Sequence, residues 1–268
     1  MSNYFGFIGT GNMGGALARA AAKTLSSEQL LLSDGYAPVA EALAQELGCK
    51  AVAVNTVATS ARFIWLGVKP QIMAGVLAGI APVLAARLDE FVLVSMAAGI
   101  SIADIRRMAG GEYPVIRIMP NIPVKAGSGV ILYDYTDNVP EEALEAFRWS
   151  MTYAGLVDHL PEHLIDAGSA LSGCGPAFVS LFVEALADGA VACGIPRAKA
   201  MEYAAMTMAG AGEMYLATKQ HPGALKDAVC SPGGSTISGI RSLEQHGFRA
   251  AAMDCVMATY LRNKELGK

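Results

Sequence analysis

The sequence predicts an α/β fold: a doubly wound parallel sheet over residues 1–158, then an all-helical part over 159–268. Three observations predict it. Short apolar runs alternate with helix-like segments through the first half, as in successive βαβ units. Runs such as Phe63-Ile-Trp-Leu66 are apolar at every position, which suits strands covered on both faces. After about residue 160 the strand signal stops, and long apolar-periodic segments opened by proline replace it.

In chain order, strands are expected at 4–8, 30–33, 50–53, 63–68, 91–95, 115–118 and 130–132, where aromatic, β-branched and leucine residues gather. Helix-like segments at 13–24, 38–47, 71–86 and 102–108 lie between them. Proline-rich turns at Pro114, Pro120 and Pro123 precede a helix over 140–153. The second half reads as helices at 176–193 and 196–218, separated by Gly194-Ile-Pro196, then 236–245 and 248–265, joined by His246-Gly247. These segments are apolar on more than one side, as in Phe178-Val-Ser-Leu-Phe-Val183. A lone domain of that size cannot hide so much apolar surface, so a partner subunit is expected.

Composition removes several classes. Apolar residues make up 53 % and charged residues 16 % of the 268, against about 25 % charged in an average soluble domain; a disordered chain has the opposite balance. A net charge of −4 offers no basic footprint for nucleic acid. The longest charge-free stretches, 1–18 at 18 residues and 70–86 and 167–183 at 17 each, fall short of the roughly 20 of a membrane span. No basic residue precedes Arg19, so a secretory leader is not expected. Five cysteines without a CxxC fit reduced thiols and a cytoplasmic location. His159 and His163 have Pro161 between them and no cysteine or third histidine nearby, so no metal site is expected.

The chemistry begins at Gly9-Thr10-Gly11-Asn12-Met13-Gly14, which follows the first strand and opens an alanine-rich helix. In a Rossmann-type dinucleotide fold the first glycine permits the tight turn. The second lets a pyrophosphate approach the backbone, and the third lets helix pack on strand. Ile8 to Met13 are therefore candidate cofactor contacts. The second strand ends in Ser33-Asp34, where an acidic residue bonds a ribose 2′-hydroxyl and repels a 2′-phosphate. Further strand ends face the same crevice: Gly67-Val68-Lys69-Pro70, Ser95-Met96-Ala97-Ala98-Gly99 and Met119-Pro120-Asn121, with Asn55 and Asn121 each open as a turn residue or a ribose contact.

A second constellation lies in the helical half. Ser231-Pro-Gly-Gly-Ser-Thr236 leads into a helix, as does Leu171-Ser-Gly-Cys-Gly-Pro176. Six small or hydroxyl residues before a helix offer unpaired N–H groups and hydroxyls that can hold a carboxylate. A plain N-cap would need one serine or threonine.

With these segments in place the chain resembles the pyrroline-5-carboxylate reductases. The resemblance rests on Phe7-Ile-Gly-Thr-Gly-Asn-Met-Gly14, Val68-Lys-Pro70, Ser95-Met-Ala-Ala-Gly99, Arg117-Ile-Met-Pro-Asn121, Leu171 to Phe178, His221 to Thr236 and Gly247-Phe-Arg-Ala250. It runs the full length in order, and the Ser-Pro-Gly-Gly-x-Thr segment is its specific part. It implies a nicotinamide-binding Rossmann domain and a helical dimerisation domain, whose dimers can assemble into rings. It also implies reduction of 1-pyrroline-5-carboxylate to L-proline, with NADPH as donor and NADH accepted. Thr236 would then hydrogen-bond the ring nitrogen as the catalytic residue. Gly233, Gly234 and Ser235 would bind the carboxylate, with Glu162 and Asp227 nearby. A β-hydroxyacid reductase of similar architecture would place a lysine in glycine-rich context, which Lys199 and Lys219 lack. A non-catalytic sensor would have no use for Ser231 to Thr236.

Overall fold

The structure is a computed structural model, and it describes residues 4–266. Packing divides the chain into two compact units: Met1–Cys174 with Tyr260–Lys268, and Gly175–Thr259.

The first unit is built on an eight-stranded sheet in the order β3-β2-β1-β4-β5-β6-β7-β8. The strands are β1 (Tyr4–Ile8), β2 (Leu30–Ser33), β3 (Lys50–Ala51), β4 (Ala61–Leu66), β5 (Val92–Ser95), β6 (Val115–Pro120), β7 (Gly129–Tyr135) and β8 (Gly155–His159). The first six are parallel, β7 runs antiparallel to β6, and β8 is parallel to β7. Chain order reverses between β1 and β4, and that reversal opens a crevice at the strand ends. The helices are α1 (Asn12–Ala21), α2 (Ala37–Leu47), α3 (Val54–Ser60), α4 (Pro70–Ala85), α5 (Ile102–Ala109), α6 (Glu141–Ser150) and α7 (Glu162–Ser172).

Alternation along β4 shows how the core is divided. Phe63 and Trp65 point to one face, where α1, α2 and α6 supply Leu17, Leu43 and Phe147. Ile64 and Leu66 point to the other, where α4 and α5 supply Met73, Leu77, Ile80 and Ile105. Successive side chains leave a strand on opposite faces, so a run apolar at every position feeds two cores at once. Phe7 stacks on Trp65 with ring centroids 5.0 Å apart.

The second unit contains α8 (Gly175–Ala192), α9 (Arg197–Thr218), α10 (Pro222–Ala228), α11 (Ser235–Gln245) and most of α12 (Phe248–Leu266). Its buried apolar residues, among those described, are Ala187, Ala200 and Ala204.

Expected and observed elements agree closely, with four additions. The helices α3, α7 and α10 and the strand β8 carried too weak a pattern to be expected. The strand β8 is an exposed edge. α3 is seven residues rich in valine and threonine, which disfavour helix. The expected division at 158/159 falls inside β8, before its last residue, and α7 beyond it packs with the first unit, burying Ile165. One helical run, Glu162–Ala192, is long and apolar enough by composition to cross a membrane. The charge-free run of 17 residues missed it because acidic residues at its ends dilute rather than interrupt its apolar character.

Candidate active site

The glycine turn between β1 and α1 is built by exclusion. Gly9 adopts φ +92°, a conformation that glycine tolerates and other residues resist. Its N–H donates to the Ser33 carbonyl at 2.8 Å, and the Gly67 N–H donates to the Ile8 carbonyl at 2.7 Å. These bonds tie the ends of β1, β2 and β4 together. A Cβ on Gly14 would stand 2.0 Å from the Gly9 carbonyl oxygen, and one on Gly67 would stand 2.3 Å from the same atom. Gly11 differs, because a Cβ there would meet nothing within 4 Å. It is the N-cap of α1 and has no side-chain cap. The helix therefore presents free N–H groups to open space, which is the fit a pyrophosphate requires.

Two cavities border this turn within the first unit. One, of about 610 Å³, is lined by Ile8, Ser33, Asp34, Asn55 and Val68 among others. The second, of about 510 Å³, is lined by Met13, Pro70, Ala98, Gly99, Asp166 and Cys174 among others. Together they gather most of the sequence-expected cofactor residues at the carboxyl ends of the strands. Buried Thr10 donates its N–H to Asp34 Oδ2 at 2.7 Å, and the Tyr36 N–H donates to Oδ1 at 3.0 Å. Asn12 is exposed on the first turn of α1. Lys69 is exposed as the N-cap of α4. Ala97 is buried under the loop after β5, its N–H directed at Ser95 Oγ at 3.5 Å.

Two candidates have structural employment. Both side-chain ends of Asn121 are used, Nδ2 donating to the Ser172 carbonyl and Oδ1 accepting from the Val130 N–H, each at 2.8 Å. Glu162, expected beside the substrate, lies at the start of α7. Its Oε1 accepts from the Ile102 N–H at 2.7 Å and from Arg117 Nη1 at 2.9 Å. Arg117 is buried in β6 and also faces Asp166 at 3.6 Å. Glu162 thus locks α5 and α7 to the sheet, while Asp166, one turn further along α7, lines the cavity. Sequence reasoning missed Asp166 and Arg117 as site residues; the Glu162/Asp166 spacing of one helical turn was the available signal.

In the second unit, α11 starts at Ser235 with Gly234 as its N-cap and no side-chain cap. Gly233 takes φ +68°, and the Gly234 N–H donates back to the Ser231 carbonyl at 3.0 Å. Neither Ser235 nor Thr236 caps the helix. Both are exposed, and among the described residues the Thr236 hydroxyl has no hydrogen-bond partner. The loop therefore offers unengaged N–H groups and a free hydroxyl at a helix N-terminus. On α10, Asp227 pairs with Lys226 and holds its ammonium above the ordinary range.

A doubly wound sheet with this glycine turn and two crevice cavities defines a dinucleotide-dependent oxidoreductase. Comparison with known proteins narrows the class. Residues 4–99 match the family described as NADP oxidoreductase coenzyme F420-dependent, and residues 162–266 match pyrroline-5-carboxylate reductase dimerisation. The chain is 37 % identical to pyrroline-5-carboxylate reductase of Synechocystis sp., covering 100 % of both chains. It is 38 % identical to that of Methanosarcina acetivorans, covering 98 % of this chain and 97 % of the relative. The structure of Plasmodium falciparum pyrroline carboxylate reductase with NADP bound superposes with a TM-score of 0.86 at 30 % identity, covering 100 % of both chains. The Coxiella burnetii pyrroline-5-carboxylate reductase gives 0.92 at 26 % identity, again covering 100 % of both. The chain belongs to the pyrroline-5-carboxylate reductase family.

Proposed function

We propose that this chain reduces 1-pyrroline-5-carboxylate to L-proline, the last step of proline biosynthesis, with NAD(P)H as donor. The observation that carries this reading is the uncapped start of α11, where the Thr236 hydroxyl and the N–H groups of Gly233 and Ser235 are unclaimed. The reaction adds a hydride to the C=N carbon and a proton to its nitrogen. When bound, the reduced nicotinamide supplies the hydride. Ile8 to Met13 and Gly67 to Pro70 hold the dinucleotide backbone, and Ala97 to Gly99 border its nicotinamide half. The α11 N-terminus attracts the substrate carboxylate, and the N–H groups of Gly233 and Ser235 orient it; the Gly234 N–H, also expected there, is held by the Ser231 carbonyl. The Thr236 hydroxyl bonds the ring nitrogen and fixes the imine face. No side chain need act as nucleophile, because a protonated imine is already electrophilic.

The working form is a homodimer formed through the second unit, and dimers assemble further into a ring. The apolar helices and the match to a dimerisation family support the dimer. The five free cysteines support a cytoplasmic location; neither nucleic acid nor membrane is a partner. NADPH and NADH share the pyrophosphate and nicotinamide ends of the site and differ at the ribose 2′-position alone. The test is loss of reduced-nicotinamide absorbance with pyrroline-5-carboxylate, set against β-hydroxyacids. Turnover with the imine alone is expected; turnover with hydroxyacids alone overturns the reading.

A further inference from the structure

We infer that this chain prefers NADH to NADPH, and that Asp34 sets the preference by receiving the ribose 2′-hydroxyl and refusing a 2′-phosphate. The inference rests on reading the first unit as the dinucleotide site. Asp34 follows β2 directly and lines the larger crevice cavity. Its carboxylate is not free to swing away. Oδ2 accepts from the Thr10 N–H and Oδ1 from the Tyr36 N–H, so turning outward would leave both donors unpaired. The Thr10 hydroxyl also donates to Oδ2, at 3.3 Å; of a carboxylate's roughly four acceptor positions, a lone pair on Oδ1 remains for a further hydroxyl donor. A phosphate dianion has no proton to offer it.

The surroundings do not offset the repulsion. Among the described residues lining this cavity, the charged side chains are Asp34 and Glu41, both acidic. Lys50 and Lys69 are exposed and outside the lining. A 2′-phosphate would therefore enter a partly enclosed, low-dielectric cleft against like charge, with neither lysine nor arginine on its wall. Gly35, beside Asp34, has open space for a side chain and no left-handed φ. A cation at that position is sterically allowed, and this chain carries none.

The test measures Kd for NADH and for NADPH on the intact protein by fluorescence of the reduced nicotinamide, without imine. Binding is then read separately from turnover. NADH is expected to bind about tenfold more tightly or better. Asp34→Asn, which keeps an acceptor oxygen for Thr10 but removes the charge, should narrow the ratio. Gly35→Arg keeps Asp34 in place, and should raise NADPH affinity about tenfold with little change for NADH. Equal or tighter binding of NADPH by the parent protein overturns the inference, as does a ratio unmoved by both variants. Failure of either dinucleotide to bind would instead overturn the reading of the first unit.

Discussion

The two units are similarly apolar in sequence and opposite in how they use it. The first buries Phe7, Phe63, Trp65, Phe147, Leu77 and Ile80 almost completely. The second buries three alanines, while Leu181 is 68 % and Met206 71 % exposed. Each large side chain left in water forgoes about 1.5–3 kcal/mol of burial. Helices α8 and α9 touch each other through Ala187, Ala200 and Ala204, a close approach that leaves their larger residues facing out. Phe178, Phe182, Met208, Phe248 and Cys255 line an apolar groove of about 520 Å³ in that unit. One region encodes its own core; the other, which matches a dimerisation family, leaves its large apolar side chains exposed.

The comparison can be broken at its most exposed point. Replacing both Leu181 and Phe182 with glutamate should abolish dimerisation and with it nearly all turnover, while NADH binding by the first unit persists. Light scattering beside cofactor titration reads both. A dimer that survives the double substitution would show that the exposed apolar face is not the interface.

Within the first unit, the glycines should divide by their surroundings. Gly14→Ala forces a methyl against the Gly9 carbonyl and should cost about 3 kcal/mol or more in fold stability, with cofactor affinity down about 100-fold. Gly11→Ala meets open space in the protein, so Tm should hold while affinity falls about tenfold. Equal effects at both positions would mean that Gly11 does not face the pyrophosphate.

Smaller effects come from the ties that hold the crevice. Glu162→Gln weakens the bond to buried Arg117 and should cost about 2 kcal/mol, seen as a lower urea midpoint with an unchanged KM for the imine. A raised KM with unchanged stability would restore Glu162 as a substrate contact. Asp104 forms a capping box with Ser101 at the start of α5. The Ser101 hydroxyl, with Arg107 beside it, holds its carboxyl below the ordinary range. That stabilisation is full above the unfolded carboxyl's pKa and is lost as pH falls through the lower folded value. Asp104→Asn should therefore cost about 0.5 kcal/mol at neutral pH, and the difference from the parent should vanish in strong acid.

Legibility followed the same division. The strands at 4–8 and 30–33 were readable to the residue because apolar runs end abruptly at Gly9 and Asp34. The glycine turn was readable because its steric requirements are local. β8 was not, since an edge strand with Asp158 and His159 facing water carries little alternation. Glu162 was placed near the substrate by the family resemblance alone, since sequence order does not show which buried cation it meets. The partner of Arg117 lies 45 residues away in the chain, and only the fold brings the two together. Thr236 could be singled out as a hydroxyl before a helix. That it leaves the cap to Gly234, and its own hydroxyl unengaged, emerged only from the backbone geometry.

The claim that the second unit supplies the substrate contacts while the first holds the dinucleotide is tested most directly at Thr236. Thr236→Ala should lower kcat/KM for pyrroline-5-carboxylate about 10- to 100-fold, the worth of one hydrogen bond to the reacting nitrogen. The Kd for the reduced dinucleotide, measured on the same preparation, should not move. Undiminished turnover, or equal losses of turnover and cofactor affinity, would contradict the account.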